Sequence, residues 1–313
     1  MSRGAKAVLL HAALLAGLLA LNWVLPDYHR GNLARVMVLA VYAMGYNLLF
    51  GYTGLLSLGH ALFFAAGMYG LALPMHHLGL GLVPAFGAAL LAGAACGLAV
   101  GLLALRTTGV AFMIVTLMFA QAGYLAILIA GAWTRGDEGF TIPAAARQVL
   151  GLDLTEPGVR YLAAWALFAA VLAILFRLVR HPAGRVLVAI RENEERARLL
   201  GYDTHAMKLL ATVLSATVAA AGGAAHAALF GYAGASFAAV QYSILPLLWV
   251  LLGGAGTLVG PFVGTLFMFY LIDWAADVTP AYMLLAGLAL ILLTLFLPQG
   301  IMGLVRGRLR WLP

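Results

Sequence analysis

Charge is what this sequence has least of. Of its 313 residues only 9% are Asp, Glu, Lys or Arg, while 64% are hydrophobic and the mean hydropathy is +1.01. A water-soluble domain of this size could not cover its core with so few charges, so the bilayer is the expected solvent. Cysteine is nearly absent: Cys96 stands alone inside an apolar run, which argues against disulfides, thiolate metal sites and thiol catalysis. Also missing are a Walker lysine motif after a strand, a Gly-x-Ser-x-Gly elbow and a His-Glu-x-x-His zinc pattern. The chain is therefore not expected to be an enzyme or to hold a metal or cofactor of its own. His76 and His77 have no convincing carboxylate neighbours, and His11, His60 and His226 read as polar residues satisfied in helix packing.

What is present is a succession of apolar runs. They fall at residues 7–25, 33–50, 60–76, 82–105, 109–131, 159–180, 209–230, 243–254, 258–276 and 281–298. The eighth is short for a crossing, so the expected architecture is an all-α polytopic transmembrane helix bundle of about ten spans (eight to ten) in one domain, residues 1–313. Arg3 and Lys6 before the first run resemble a signal peptide, but no small-x-small cleavage site follows; the run reads as a retained first helix.

The charges that do exist are concentrated. Between His181 and Lys208 lie five basic and four acidic residues, a charged island framed by two apolar runs. Nine charges in the bilayer would cost more than about 20 kcal/mol on insertion scales, so the island must be in water. Gly184–Gly201 reads as a helix with a glycine cap, its apolar stripe formed by Leu187, Ile190, Ala197 and Leu200. With the amino terminus inside, thirteen basic residues fall on the inner side and five (Arg30, Arg35, Arg135, Arg147 and Arg160) on the outer. Both termini are thus expected in the cytoplasm, as are the island (181–208) and the tail with Arg306, Arg308 and Arg310. Residues 132–158 are then an ordered outer loop. The pI near 9.8 follows from this loop placement and does not point to nucleic acid.

Glycine is abundant, at 37 residues. Ala89, Gly93, Gly97 and Gly101 recur every four residues, one face along which a neighbouring helix can approach closely. Two glycine-rich interruptions, GYTGLLSLGH (Gly51–His60) and LGGAGTLVGP (Leu252–Pro261), lie at the inner ends of apolar runs. Composition leaves two readings open: ordinary tight turns, or paired breaks that mark a permeation path.

These residues resemble a known family. GYTGLLSLGHALFFAAGMYG (Gly51–Gly70) is similar to the Gly-Ser-Gly-His signature of the branched-chain amino-acid permeases of ABC transporters. RTTGVAFMIVTLMFAQ (Arg106–Gln121), TRGDEGFTIP (Thr134–Pro143), Ala189–Ala216, LGGAGTLVGPFVG and LPQGIMGL extend the resemblance in order from Asn47 to Leu304. It implies a bacterial inner-membrane permease subunit, paired with a homologous permease, two cytoplasmic ATPases that bind ATP and Mg, and a periplasmic substrate-binding protein. The island then resembles the ATPase-coupling segment, with Arg191, Glu192, Glu194, Glu195, Ala197 and Gly201 as its contact residues. Glu195, Ala197 and Gly201 fit the Glu-Ala-Ala-x-x-x-Gly pattern; Arg196 replaces its first alanine. The loop Thr134, Arg135, Gly136, Asp137, Glu138 and Gly139 is the expected binding-protein contact, and Arg135 stands where the family usually has glycine.

A zwitterionic solute needs a path of small polar groups. The candidates are Asn47, Tyr52, Ser57, His60, Thr116 and Gln121, with backbone at Gly254 and Gly256. Each could instead be an interhelical hydrogen-bond partner, typically worth about 0.6 kcal/mol. A proton-driven secondary transporter is the main rival, but its ionisable groups are scarce: Asp273 and Asp277 sit near an outer end. A passive channel would not require the island. Within the family, urea, short amides and other amino acids are alternative cargoes.

Overall fold

The computed structural model describes residues 3–149, 151–297 and 299–303. Arg306, Arg308, Arg310 and Leu304 lie outside the described residues. Ten apolar helices occupy the ten expected spans. They are α1 (Arg3–Val24), α2 (Asp27–Asn47), α3 (His60–His77), α4 (Leu82–Ala104) and α5 (Val110–Ile129), then α7 (Pro157–Arg180), α10 (Thr204–Phe230), α11 (Val240–Gly253), α12 (Gly260–Val278) and α13 (Tyr282–Phe296). Between them lie the short α6 (Gly131–Thr134) and the two island helices, α8 (Pro182–Glu192) and α9 (Glu194–Leu199). Seven of the described helices are long and apolar enough to cross a membrane; α11, at 14 residues, is not. This is a multi-pass membrane protein.

Helix α2 is at the centre. Leu33, Ala34 and every residue from Val36 to Asn47 are buried, as a helix apolar on all sides requires. Against it and α4 packs α10, through contacts between small residues. A Cβ on Gly97 would lie 2.5 Å from the Ala216 Cβ, and Gly93 faces Ala220 equally closely. The four-residue repeat on α4 is therefore a packing face: Gly93, Gly97 and Gly101 meet α10, while Ala89 meets Gly70 of α3. Close backbone approach replaces the hydrophobic drive that lipid cannot supply.

Chain direction follows from these contacts. Tyr161 Oη donates to Leu18 O (2.6 Å) and Trp165 Nε1 to Leu15 O (3.0 Å), so α1 runs antiparallel to α7, starting beside the island. Gly300 packs on Gly254 and Leu251, which returns residues 299–303 to the same end. At the opposite, loop end, Arg35 and Arg160 lie over the Phe230 ring at 4.8 and 5.8 Å, and Arg147 donates to Leu229 O. Among the described residues, the division of basic residues expected from the sequence is thus a division between the two ends of the bundle.

The loop end carries four two-residue strands: β1 (Phe140–Thr141), β2 (Gln148–Val149), β3 (Leu152–Asp153) and β4 (Tyr232–Ala233). β1 pairs antiparallel with β4, Phe140 opposite Ala233, and β2 with β3, Gln148 opposite Asp153.

Two sequence expectations need correction. The island is not one helix: Asn193 is extended (φ −162°, ψ 101°) and its side chain accepts from Arg196 N, capping α9. Gly201, at φ +87°, ends α9 as expected. Nor does the island present the expected stripe. Leu187, Ile190 and Ala197 are buried within the protein, while Leu199, Leu200 and Tyr202 are exposed.

Candidate functional site: the junction of two broken helices

The two glycine-rich interruptions meet. After Asn47 the ladder of α2 loosens into a π-helical turn, Leu48–Tyr52. Such single π turns recur at functional sites. Asn47, 2% exposed, clamps the other break with both ends of its amide: Nδ2 donates to Thr257 O (2.8 Å) and Oδ1 accepts from Gly256 N (2.9 Å). Gly51 has to lack a side chain here. A Cβ would overlap Asn47 Oδ1 and lie 2.5 Å from Gly256 N.

From Thr53 the chain folds back into the bundle, and α3 begins deep inside it. His60, the first residue of α3, is fully buried and its Nε2 lies 2.8 Å from Ser215 Oγ, which donates to Gly45 O (2.6 Å). Ser215 is eleven residues beyond the start of α10, about 17 Å along that helix. Because Ser215 donates its proton to Gly45, it accepts from His60, which places the imidazole proton on Nε2. The other ring nitrogen, Nδ1, has no hydrogen-bond partner among the described residues; the ring of the buried Tyr46, whose hydroxyl faces the Ser57 backbone, lies 4.7 Å from that of His60.

Helix α11 reaches the same level from the loop end. Its Ser243 Oγ accepts from Ala61 N (2.9 Å), so α11 supplies a cap that the first turn of α3 lacks locally. The Tyr42 hydroxyl donates to Tyr242 O (3.0 Å). The break after α11 holds Gly254 at φ +113° and Gly256 at φ +76°, conformations that favour glycine.

Most of the sequence-derived path candidates gather at this junction, though as packed groups. Asn47, Ser57, His60 and Thr116 are all buried. Ser57 Oγ accepts from Gly59 N (3.1 Å), and Thr116 Oγ1 accepts from Leu58 N (3.1 Å), so α5 holds the re-entrant segment in place. Tyr52 and Gly256 line a cavity of about 420 Å³ at the island end, together with Arg180, Arg191, Glu192 and Leu258. Gln121 stands apart: it is on the exposed side of α5. Ser215, Ser243 and Thr257 belong to the junction and were not anticipated. Ser215 and Ser243 are single hydroxyls in apolar helices and carry no local signal, whereas Thr257 lies within the glycine-rich break itself.

The island is joined to this junction. Arg191, at the end of α8, donates from Nη1 to Gly51 O in the π-helical turn. On the same helix Glu192 lines the cavity. Glu194 turns inward: it accepts from Lys208 Nζ (2.7 Å) and Thr204 Oγ1 (3.1 Å) and lies 3.4 Å from Arg198. Burial alone would raise the Glu194 carboxyl, but the Lys208 hydrogen bond and charge, with Thr204 and Arg198, outweigh it and hold it below the usual carboxylate range. Lys208 has a side chain only 7% exposed, so the pair fastens α9 to α10. Glu195 and Gly201 are exposed; Ala197 is buried against Val186 and Ile190.

At the loop end, Thr134 Oγ1 donates to Ile127 O (2.5 Å), and Arg135 has φ +58°, the one described non-glycine residue with positive φ. Arg135 thus holds a left-handed backbone of the kind that favours glycine. Its guanidinium lies 5.7 Å from the Phe140 ring centre. Gly136 and Gly139 also have positive φ, Asp137 and Glu138 are exposed, and Tyr232 Oη donates to Glu138 O (3.2 Å).

Residues 31–295 match the family described as branched-chain amino acid transport system, permease component. The chain belongs to that family. It is 30% identical over 298 residues to the high-affinity branched-chain amino acid transport system permease protein LivM of Escherichia coli, covering 88% of this chain and 70% of the relative. A probable branched-chain amino acid transport permease protein LivM of Methanocaldococcus jannaschii is 35% identical over 107 residues (33% of this chain, 31% of that one). The autoinducer 2 import system permease protein LsrC of Photorhabdus laumondii is 29% identical over 154 residues (47% and 43%). No solved structure is a significant match. Two of the segments that resembled the family in sequence, Gly51–Gly70 and LGGAGTLVGPFVG, build the junction of this permease.

Proposed function

We propose that this permease is the membrane subunit of an ABC importer that moves branched-chain amino acids across the bacterial inner membrane. In this reading the island end faces the cytoplasm, with both termini. Two ATPase subunits dock there, bind Mg and ATP and hydrolyse it, while a periplasmic binding protein delivers substrate at the Thr134–Gly139 loop. A homologous permease completes the path, and the outward face of α5 that carries Gln121 turns toward that path or that partner rather than to lipid. A polar amide facing hydrocarbon at mid-span would be costly.

One observation carries the reading: the island, which is the segment a soluble partner can reach, bonds through Arg191 to the broken helices at the bundle's centre. A push on the island can therefore reach the junction that separates the two ends. At that junction the amino-terminal end of α3 and the free Nδ1 of His60 offer weak polar contacts suited to passage, not to tight capture. Among the described residues no carboxylate is buried in the bundle, so a proton-driven cycle finds little support.

The test is purification in mild detergent from the native membrane, followed by reconstitution. Two ATPases and a second permease should co-purify, and ATP-dependent leucine, isoleucine or valine uptake should survive collapse of the proton gradient. Recovery of the chain alone, or loss of uptake with the gradient, would overturn the proposal.

A further inference from the structure

Arg191 does more than sit on the surface of a docking segment. Its stem packs on Gly54, where an added Cβ would lie 3.1 Å from its Cγ and 3.4 Å from its Cα. Its Nη1 donates to Gly51 O, in the break after α2, and lies 2.8 Å from where a Cβ of Gly256 would be, in the break after α11. Glycines from two breaks about two hundred residues apart therefore make room for Arg191: Gly54 for its stem and Gly256 for its guanidinium, which reaches the carbonyl of Gly51. Any side chain at Gly256 would displace it, and φ there is already +76°. As a residue Arg191 is nevertheless exposed, and the cavity beside it, about 420 Å³, gives its guanidinium somewhere to go.

We propose that Arg191 is the latch of the island-side gate, a positioning residue that holds the Gly51 and Gly256 breaks together until movement of α8 withdraws it. The inference deepens the importer reading and rests on it for the source of that movement. A planar, permanently charged guanidinium suits the role: it can hold a carbonyl at a broken turn and, once withdrawn, be solvated in the adjoining cavity. A static staple would need neither the exposure nor the space.

The experiment uses the whole transporter in proteoliposomes, with Cys96→Ala and Ser57→Cys as the reporter background. Ser57 is 1% exposed, so a membrane-impermeant maleimide on the island side should label it slowly. Arg191→Ala should raise labelling at least fivefold without nucleotide. It should also lower uptake at least tenfold while ATP hydrolysis persists and no longer depends on substrate. Arg191→Lys, keeping the charge without the fork, should fall between. Gly256→Ala, which leaves Arg191 in place but excludes its guanidinium, should reproduce the labelling and guards against misfolding of the first variant. Unchanged labelling in both Arg191→Ala and Gly256→Ala, in protein that still imports with ATP, overturns the latch and leaves the importer standing. Raised labelling in a chain whose uptake ignores ATP keeps the latch and overturns the importer.

Discussion

The clamp formed by Asn47 allows the stability of the junction to be calculated and tested. Replacing Asn47 by Ala removes two buried hydrogen bonds, of 2.8 Å to Thr257 O and 2.9 Å from Gly256 N. Each is worth about 0.5–1.5 kcal/mol net, and each backbone group left unmet in a dry site costs about 1–3 kcal/mol. The unmet-partner cost already includes much of the lost bond, so the expected loss is about 2–5 kcal/mol, or roughly 5–15 °C in melting temperature for a chain of this size. Gly51 supplies an internal control, because its missing Cβ would overlap Asn47 Oδ1. Gly51→Ala should be severely destabilising alone. In the Asn47→Ala background it should cost less, since that clash is gone and only the approach to Gly256 N at 2.5 Å remains. Thermal aggregation of detergent-purified protein, followed for wild type, both single variants and the double, measures all four corners. A melting point for Asn47→Ala within 2 °C of wild type would refute the clamp. Strict additivity would refute the steric link between the two residues.

Within α4, Gly93→Ala should destabilise by about 1–3 kcal/mol through contact with Ala220. Gly87→Ala, which meets nothing within 4 Å, should be neutral or stabilising by up to about 1 kcal/mol in the same melting assay. At the loop end, Arg135→Gly should be more stable than Arg135→Ala by about 1 kcal/mol, because both lose the Phe140 contact but only alanine keeps the φ +58° strain; a reversed order would remove the strain argument. The Glu194 carboxyl is held below its ordinary range, so its contribution is complete above the unfolded pKa and is lost as pH falls through the lower folded value. Limited proteolysis of the island should therefore accelerate as pH drops below about 4.5. Glu194→Gln should cleave faster at neutral pH, by an amount set by about 1–3 kcal/mol given the nearly buried Lys208, and show little further change on acidification.

The architecture was legible because the bilayer permits few solutions: long apolar runs must be helices, and their charged connections must be outside. The same constraint made the four-residue glycine stripe readable, since small residues at helical spacing have few other uses in lipid. The island was harder, because water allows more conformations. Asn193 followed by Glu194 and Glu195 is an amino-terminal cap signal, and it marks the break between α8 and α9; the longer periodicity through Arg191 and Arg198 masked it. That break rotates Glu194 onto Lys208 and leaves Leu199 and Leu200 in water, so the side of the island facing the protein could not be told from the side facing out. The junction was partly readable because a glycine pair with positive φ announces a broken backbone. Its partners were not. What Arg191 grips is a main-chain carbonyl, a group every residue has, and it is available because the helix ends at Tyr52 and leaves its last carbonyls without partners along the helix. Sequence shows where backbone is free to break; only the assembled fold shows which distant side chain the freed carbonyl receives.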